Sequence, residues 1–183
     1  MQPWKILGSE IVFDAEPFVQ VSKQRIALPD GGVIEDFYQV HLRPFSLTVP
    51  ITEDGRVLIL RAYKHGPGRV CLTFPGGFID PGETPRDAAA RELLEEAGYA
   101  GTEIMPLGRF TDNGNQKGCT GHYFLVRGCR AVQPPSAGDH EEMALELHDP
   151  VALDEFLRDG TLAITHDAAA WAFARLHMGQ AGL

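Results

Sequence analysis

The sequence is short of positive charge. Its 16 lysines and arginines stand against 25 aspartates and glutamates, a formal net charge of −9 over 183 residues. A general nucleic-acid binder presents a basic face, so that class is excluded. A small anionic ligand held by a few local cations or a metal ion is not excluded. Cysteine is scarce as well: Cys71, Cys119 and Cys129 contain no CxxC pair and are odd in number, which reads as buried reduced thiols rather than a disulfide framework. No apolar run approaches the ~20 residues of a membrane-spanning helix. The N-terminal "MQPWKILGSE" lacks the apolar centre of a signal peptide. The expectation is a cytoplasmic protein with neither a membrane nor a nucleic acid as partner. What the chain has in plenty is apolar material, 44% of its residues, ample for one core with a small appendage.

Residues 10–45 alternate apolar and polar over "FVQVSKQRIAL", turn at "PDGG" and resume as "VIEDFYQVHL". That pattern predicts a hairpin of two exposed strands. Residues 1–45 therefore read as a small antiparallel β-sheet segment attached to a main domain over 46–183. Dense apolar strands follow at "FSLTVPI", "RVLILRAY" and "VCLTF", then a Gly-rich loop and a helix. Two more strands, "EIMPLGRFT" and "GHYFLVRG", flank the polar loop "DNGNQKG". A strand "MALEL", a helix from about Pro150 to Arg158 and a final helix "DAAAWAFARLHM" close the chain. The economical architecture is an α/β fold, a mixed sheet with helices on its faces.

The stretch "GGFIDPGETPRDAAARELLEEAGY", residues 76–99, carries the chemistry. Thr84 is placed to cap a helix, Pro85 suits its first position, Asp87 stands where a capping box wants an acid, and Gly98 is the natural stop. With about 100° per residue and Arg91 as origin, Glu95 falls near 40°, Glu92 near 100° and Glu96 near 140°. Leu93, Ala89, Ala97, Ala90 and Leu94 take the other side and are expected to pack on the sheet. Periodicity alone also fits a solvated acidic face. Acids near a helix C-terminus oppose the macrodipole, however, by about 0.3–1 kcal/mol each. Beyond Arg91, the sequence nearby offers the three acids no compensating charge. Clustered carboxylates beside a bent loop whose carbonyls can turn inward suit a hard divalent cation, and magnesium with phosphate chemistry leads.

These residues resemble a known family. Gly77, five residues, Glu83, seven residues, then "RELLEEAGY" from Arg91 to Tyr99 is similar to the Nudix box, with an aromatic Tyr99 at its last, aliphatic position. The resemblance implies a Nudix fold, an α/β/α sandwich with a mixed β-sheet, and hydrolysis of a nucleoside diphosphate linked to another group. It implies that Glu92, Glu95 and Glu96, with the Gly76 carbonyl, bind Mg²⁺ or Mn²⁺. Glu83 and Arg91 would tie loop to helix, Glu83 sometimes reaching the metals.

Beyond the box, "LPDGG", "DGRVLILRAYKHG" and "LDEFLRDGTL" resemble the ADP-ribose pyrophosphatase branch, whose N-terminal sheet pairs two protomers. This implies a homodimer and a nucleotide-sugar substrate, ADP-ribose first. Lys64 falls where that branch often has an arginine beside the diphosphate, with Arg61 and Arg43 as weaker candidates; ordinary surface charge is the alternative for each. Phe37 or Tyr38 would stack on a base unless they are core. The branch also takes a glutamate from the loop before its last strand. Here "SAGDHEEMALEL" offers Asp139, Glu141 and Glu142. If Met143, Leu145 and Leu147 form the buried face, period two puts Glu141 on that side and Glu142 opposite. The family's glutamate stands two residues before the first buried apolar side chain, which matches Glu141.

Departures widen the substrate range. The branch's proline about sixteen residues past the box is replaced by "DNGNQKG", and Thr73-Phe74 replaces a common Glu-Leu. The marks of the coenzyme A and NADH-cleaving branches are missing. A dinucleoside polyphosphate or a nucleoside triphosphate is the alternative substrate, and a non-catalytic nucleotide sensor is the reading from another class.

Overall fold

The computed structural model describes residues 1–136 and 142–180. The chain forms two units, Met1–Pro44 with Phe110–Gly121, and Phe45–Arg109 with His122–Leu183.

The first unit holds three antiparallel strands, β1 (Lys5–Ala15), β2 (Val19–Ala27) and β3 (Val33–His41), in that order. The sequence pattern predicts two. β1 escapes a period-two reading because its register to β2 slips twice, between Ile6 and Gly8 and between Ile11 and Phe13. Its apolar residues consequently fall side by side, and Ile6, Leu7, Ile11, Val12 and Phe13 are all exposed. The β2–β3 turn needs Gly31, whose φ of 91° suits glycine, and the Gly31 N–H donates to the Leu28 carbonyl at 3.1 Å. At the end of β3, Val40 and His41 pair in parallel with Lys117 and Gly118.

The second unit contains β4 (Phe45–Thr52), β5 (Val57–Lys64), β6 (Arg69–Thr73), β7 (Gly76–Phe78), α1 (Pro85–Ala97) and β8 (Tyr99–Ala100). It continues through most of β9 (Glu103–Asn113) and β10 (Lys117–Ala131), then β11 (Met143–His148), α2 (Pro150–Arg158) and α3 (Thr165–Gln180). β4 lies between β10 and β5, and β11 closes the row beyond β5. β10 runs both parallel and antiparallel to its partners, so the sheet is mixed.

Strand alternation sorts the core into two layers. Val57 and Ile59 of β5 and Tyr123 and Leu125 of β10 face one way, into a cluster with Leu153 of α2 and Trp171 of α3. Leu58, Leu60, Phe124 and Val126 face the other way, against Ala89, Leu93 and Ala97 of α1. The sheet is thus sandwiched between α1 and the α2–α3 pair. The two helices of that pair are joined through Asp154, which accepts from Trp171 Nε1 at 2.9 Å and from Arg175 Nε at 2.9 Å.

Three local expectations need correction. "DNGNQKG" is a tight turn between two long strands, since β9 runs on to Asn113 and β10 starts at Lys117. "GGF" is not loop but β7, paired with β4 through Leu47↔Gly76, Ser46↔Gly77 and Phe45↔Phe78. Leu145, expected in the buried face of β11, is 36% exposed although Met143 and Leu147 pack on the core. Among the described residues, β11 ends its row of strands and has a neighbour on one side alone.

Candidate active site

Helix α1 starts and stops where its residues require. The Thr84 hydroxyl oxygen accepts the Asp87 N–H at 3.2 Å, and the hydroxyl donates to the Asp87 carboxylate at 2.6 Å. This replaces half of a capping box, because the Asp87 side chain meets the hydroxyl rather than a backbone amide. Gly98 ends the helix in the left-handed conformation with φ 72°.

The face that α1 buries is rotated from the one its apolar residues suggest. Ala88, Ala89, Leu93 and Ala97 are buried, Ala90 is exposed and Leu94 is half-buried. The buried arc therefore reaches across Glu92, whose side chain is only 13% exposed. Glu92 is thus drawn away from solvent, while the Glu95 side chain stays 45% exposed. What makes room for the acids is glycine: a Cβ on Gly77 would run into the Glu92 carboxylate, and a Cβ on Gly76 would stand 2.5 Å from the Ser46 carbonyl oxygen. Close approach, rather than an unusual φ, is what this Gly-Gly pair provides.

Arg91 sits at the centre. Its Nε and Nη2 donate to the two oxygens of Glu83 at 2.9 and 3.0 Å, and Nη2 also donates to the Phe78 carbonyl at 3.1 Å. Its Nη1 donates to Glu92 at 2.8 Å and to Glu95 at 3.1 Å. All five N–H groups of the guanidinium are used. The acids thus have more compensation than the sequence suggests, since the arginine expected to serve Glu83 reaches Glu92 and Glu95 too. One cation among four carboxylates still leaves the cluster strongly negative. Glu96 is held separately, its Oε2 accepting the Gly76 N–H at 2.9 Å.

The electrostatics follow the geometry. Hydrogen bonds from Arg91, then from the Asp80 amide, hold the Glu83 carboxyl below its ordinary range. Burial pushes Glu92 up, against the pull of Arg91, and the charges of Glu95 and Glu83 add to that push. The cluster offers oxygen donors alone, and its most buried member is penalised for carrying charge without a further cation. That donor set fits Mg²⁺ or Mn²⁺.

The other expected residues are distributed differently. Lys64 ends β5, close enough to the Asp167 carboxyl to favour its charged form. Arg61 is engaged with Glu146 of β11, through Nε at 2.5 Å and Nη2 at 3.2 Å. In the first unit, the Phe37 ring meets Trp4 edge-on at 5.9 Å, which is a packing role. Tyr38 is 47% exposed on the same strand. Arg43 helps line a cavity of about 290 Å³ with Glu16, Gln20 and His41. Glu142 is exposed just before β11; Asp139 and Glu141 lie outside the described residues. Sequence reasoning did not anticipate Asp167, a buried acid that accepts the Phe74 amide two residues before Gly76. Its signal was faint, because an acid in the first turn of a helix is usually a surface feature.

With this geometry in place, comparison with known proteins is direct. Residues 42–168 match the NUDIX domain, and the chain belongs to the Nudix family. A CMP-5'-(N-acetyl-N-hydroxy-3-aminopropyl)phosphonate hydrolase of Streptomyces rubellomurinus is 28% identical over 181 residues, 97% of this chain and 84% of that one. An ADP-ribose pyrophosphatase of Bacillus subtilis is 23% identical over 156 residues, covering 82% and 83%. The crystal structure of an ADP compounds hydrolase matches with a TM-score of 0.83 at 21% identity, over 100% of this chain and 97% of its own, so the fold is that of a Nudix enzyme.

Proposed function

We propose that this chain hydrolyses the pyrophosphate bond of a nucleoside diphosphate sugar, ADP-ribose first, giving a nucleoside monophosphate and a sugar phosphate. The observation that carries this reading is the cluster of Glu92 and Glu95 on Arg91, with Glu96 on the Gly76 amide, set against a glycine pair that admits them. Glu92, Glu95, Glu96 and the Gly76 carbonyl are the proposed holders of Mg²⁺ or Mn²⁺. When bound, the metal supplies charge neutralisation of the diphosphate and Lewis-acid assistance to its cleavage. Arg91 and Glu83 keep α1 and the preceding loop in register, so the carboxylates are presented without searching. Glu141 is the proposed general base, with Glu142 as the alternative if the strand register is displaced by one.

Lys64 is the foremost candidate for the diphosphate. Arg61 and Arg43 are weaker, Arg61 more so because Glu146 already occupies its fork. Tyr38, exposed on β3, is a better stacking surface for a base than Phe37. The N-terminal segment, residues 1–45, is proposed to pair with a second copy, covering the exposed apolar side chains of β1. The proposed compartment is the cytoplasm. No described helix is long and apolar enough to cross a membrane.

A panel of nucleotide sugars, dinucleoside polyphosphates and nucleoside triphosphates with Mg²⁺, read out by product mass, tests the substrate class. Dinucleoside polyphosphates or nucleoside triphosphates turned over tenfold faster than every sugar would overturn it. A second reading, a nucleotide whose other half is not a sugar, has one specific support: the relative matched over nearly the whole chain is named for a CMP-linked phosphonate. Including a CMP-linked substrate in the panel decides between the two.

A further inference from the structure

Asp167 is the one fully buried carboxylate among the described residues, 1% exposed, in the first turn of α3. It lies far along the chain from the acids of α1, yet both are hydrogen-bonded to the same short backbone stretch, residues 74–76. Asp167 Oδ1 accepts the Phe74 N–H at 2.6 Å and the Thr73 hydroxyl at 3.1 Å. The next residue, Pro75, has no N–H, and its carbonyl accepts both the Thr48 N–H at 2.9 Å and the Thr48 hydroxyl at 3.0 Å. The residue after that, Gly76, donates its N–H to Glu96. Two peptides of this stretch are thus pinned: the one ending in the Phe74 N–H to α3, and the one joining Pro75 to Gly76 to β4 through its carbonyl and to a carboxylate of α1 through its N–H.

The pins differ in what they can give way to. Pro75 fixes its own φ near −65°, so a displacement at Phe74 passes on to Gly76 rather than being absorbed. Gly76 is paired with Leu47 of β4, at a place where an added Cβ would collide with the Ser46 carbonyl. Thr48 holds the peptide that carries the Gly76 N–H, Asp167 anchors the residue that leads into it, and the Gly76 amide in turn holds one oxygen of Glu96. Burial pushes the Asp167 carboxyl up to about 6, the neighbouring Lys64 working in the opposite sense. A group so costly to bury has a geometric task that a small apolar side chain in its place could not do.

We propose that Asp167 is a positioning residue for the carboxylate cluster: through the Phe74 amide it sets the Gly76 backbone that orients Glu96, and thereby the affinity of the cluster for a divalent cation. This rests on the metal-binding reading given above. The role is that of a hydrogen-bond acceptor, so Asn, which keeps the acceptor oxygen, fulfils it, and Ala does not.

The test is calorimetric titration of the apo protein with Mn²⁺ alone, together with the amide resonances of Phe74 and Gly76. Asp167→Ala is expected to weaken Mn²⁺ binding by roughly 10–100-fold, the range typical of residues that orient metal ligands. Both amides should shift, and Asp167→Asn should stay close to wild type. Asp154→Ala removes the partner of Trp171 and Arg175 on the same helix; it should lower Tm and leave Mn²⁺ affinity unchanged. If Asp167→Ala does not fold, Thr48→Val loosens the same backbone at Pro75 and should weaken Mn²⁺ binding to a smaller degree. Wild-type Mn²⁺ affinity in both Asp167→Ala and Thr48→Val overturns the proposal, as does an Asn variant as weak as the Ala one. The double variant Glu95→Gln/Glu96→Gln separates the two claims. If it loses Mn²⁺ while the Asp167 variants keep it, the metal site stands and the positioning role falls. If it too binds as wild type, the metal reading itself falls.

Discussion

Helix α1 and strand β1 fail to satisfy their own residues in opposite ways. α1 presses carboxylates into the protein with one arginine among them, so what it lacks is positive charge. β1 spreads apolar side chains on both faces with nothing from its own unit over them, so what it lacks is surface. A charge deficit is met by something small and cationic, and a surface deficit by something large and apolar. The contrast teaches that the two regions call for different kinds of partner, which the proposed reading takes to be a divalent metal for one and a second copy of the chain for the other.

The largest effect should come from removing the cation. Chelation of divalent metal should abolish turnover of the nucleotide sugar, and added Mg²⁺ or Mn²⁺ should restore it. Full activity in excess chelator would break the charge half of the comparison. Next comes Glu141→Gln, which should lower kcat by roughly 10²–10⁴-fold with little change in KM, while Glu142→Gln should be mild. The reverse ranking means that the register is displaced and Glu142 is the base. If neither substitution matters, a glutamate of the box suffices and the loop assignment is wrong.

The surface half is tested by light scattering. The protein should be a dimer at micromolar concentration, and Phe13→Lys with Ile11→Lys on β1 should shift it toward monomer. A wild-type monomer would contradict the pairing. Arg91→Lys sharpens the charge half: three donors on a flexible stem cannot reproduce a five-donor fork, and loss of those charged hydrogen bonds should reduce stability by about 1.5–3 kcal/mol in denaturant unfolding.

The last effect is in the pH dependence of stability. Asp167 has its folded pKa raised from 3.8 to about 6, so it binds a proton more tightly when folded. Its contribution is fully present below pH 3.8 and is lost as pH rises through about 6. Glu92 is shifted in the same direction from 4.5, so its contribution also fades as pH rises. Asp167→Asn should remove the slope between 3.8 and about 6 and leave the variant at least as stable at pH 7. An unchanged slope in chemical denaturation would contradict that assignment.

Much of this was legible in the sequence. The bounds of α1, with Thr84, Pro85 and Gly98, follow from capping rules that depend on a few adjacent residues. α2 runs from Pro150 to Arg158 as its pattern predicts. The meeting of Glu83 with Arg91 follows from the box spacing that the resemblance carries. What escaped is what depends on distant partners. The burial of the Glu92 side chain and the bond of Glu96 to Gly76 arise because β7 pairs with β4 and brings glycine against the helix, and no periodicity within α1 encodes that. Ala88 and Ala90 exchange roles for the same reason. Arg61 looked available because its partner Glu146 is 85 residues away. β1 was hidden by its own bulges, which destroy the alternation that reveals a strand.

The central claim is that the α1 carboxylates hold the metal that supports cleavage of a pyrophosphate bond. The most direct measurement is single-turnover hydrolysis of ADP-ribose in saturating Mg²⁺ by wild type and by Glu95→Gln/Glu96→Gln, with products identified by mass. The wild type should give adenosine monophosphate and ribose phosphate, and the variant should be slower by at least about 10²-fold. Equal rates in the two proteins, or ADP-ribose left intact by the wild type, would contradict it.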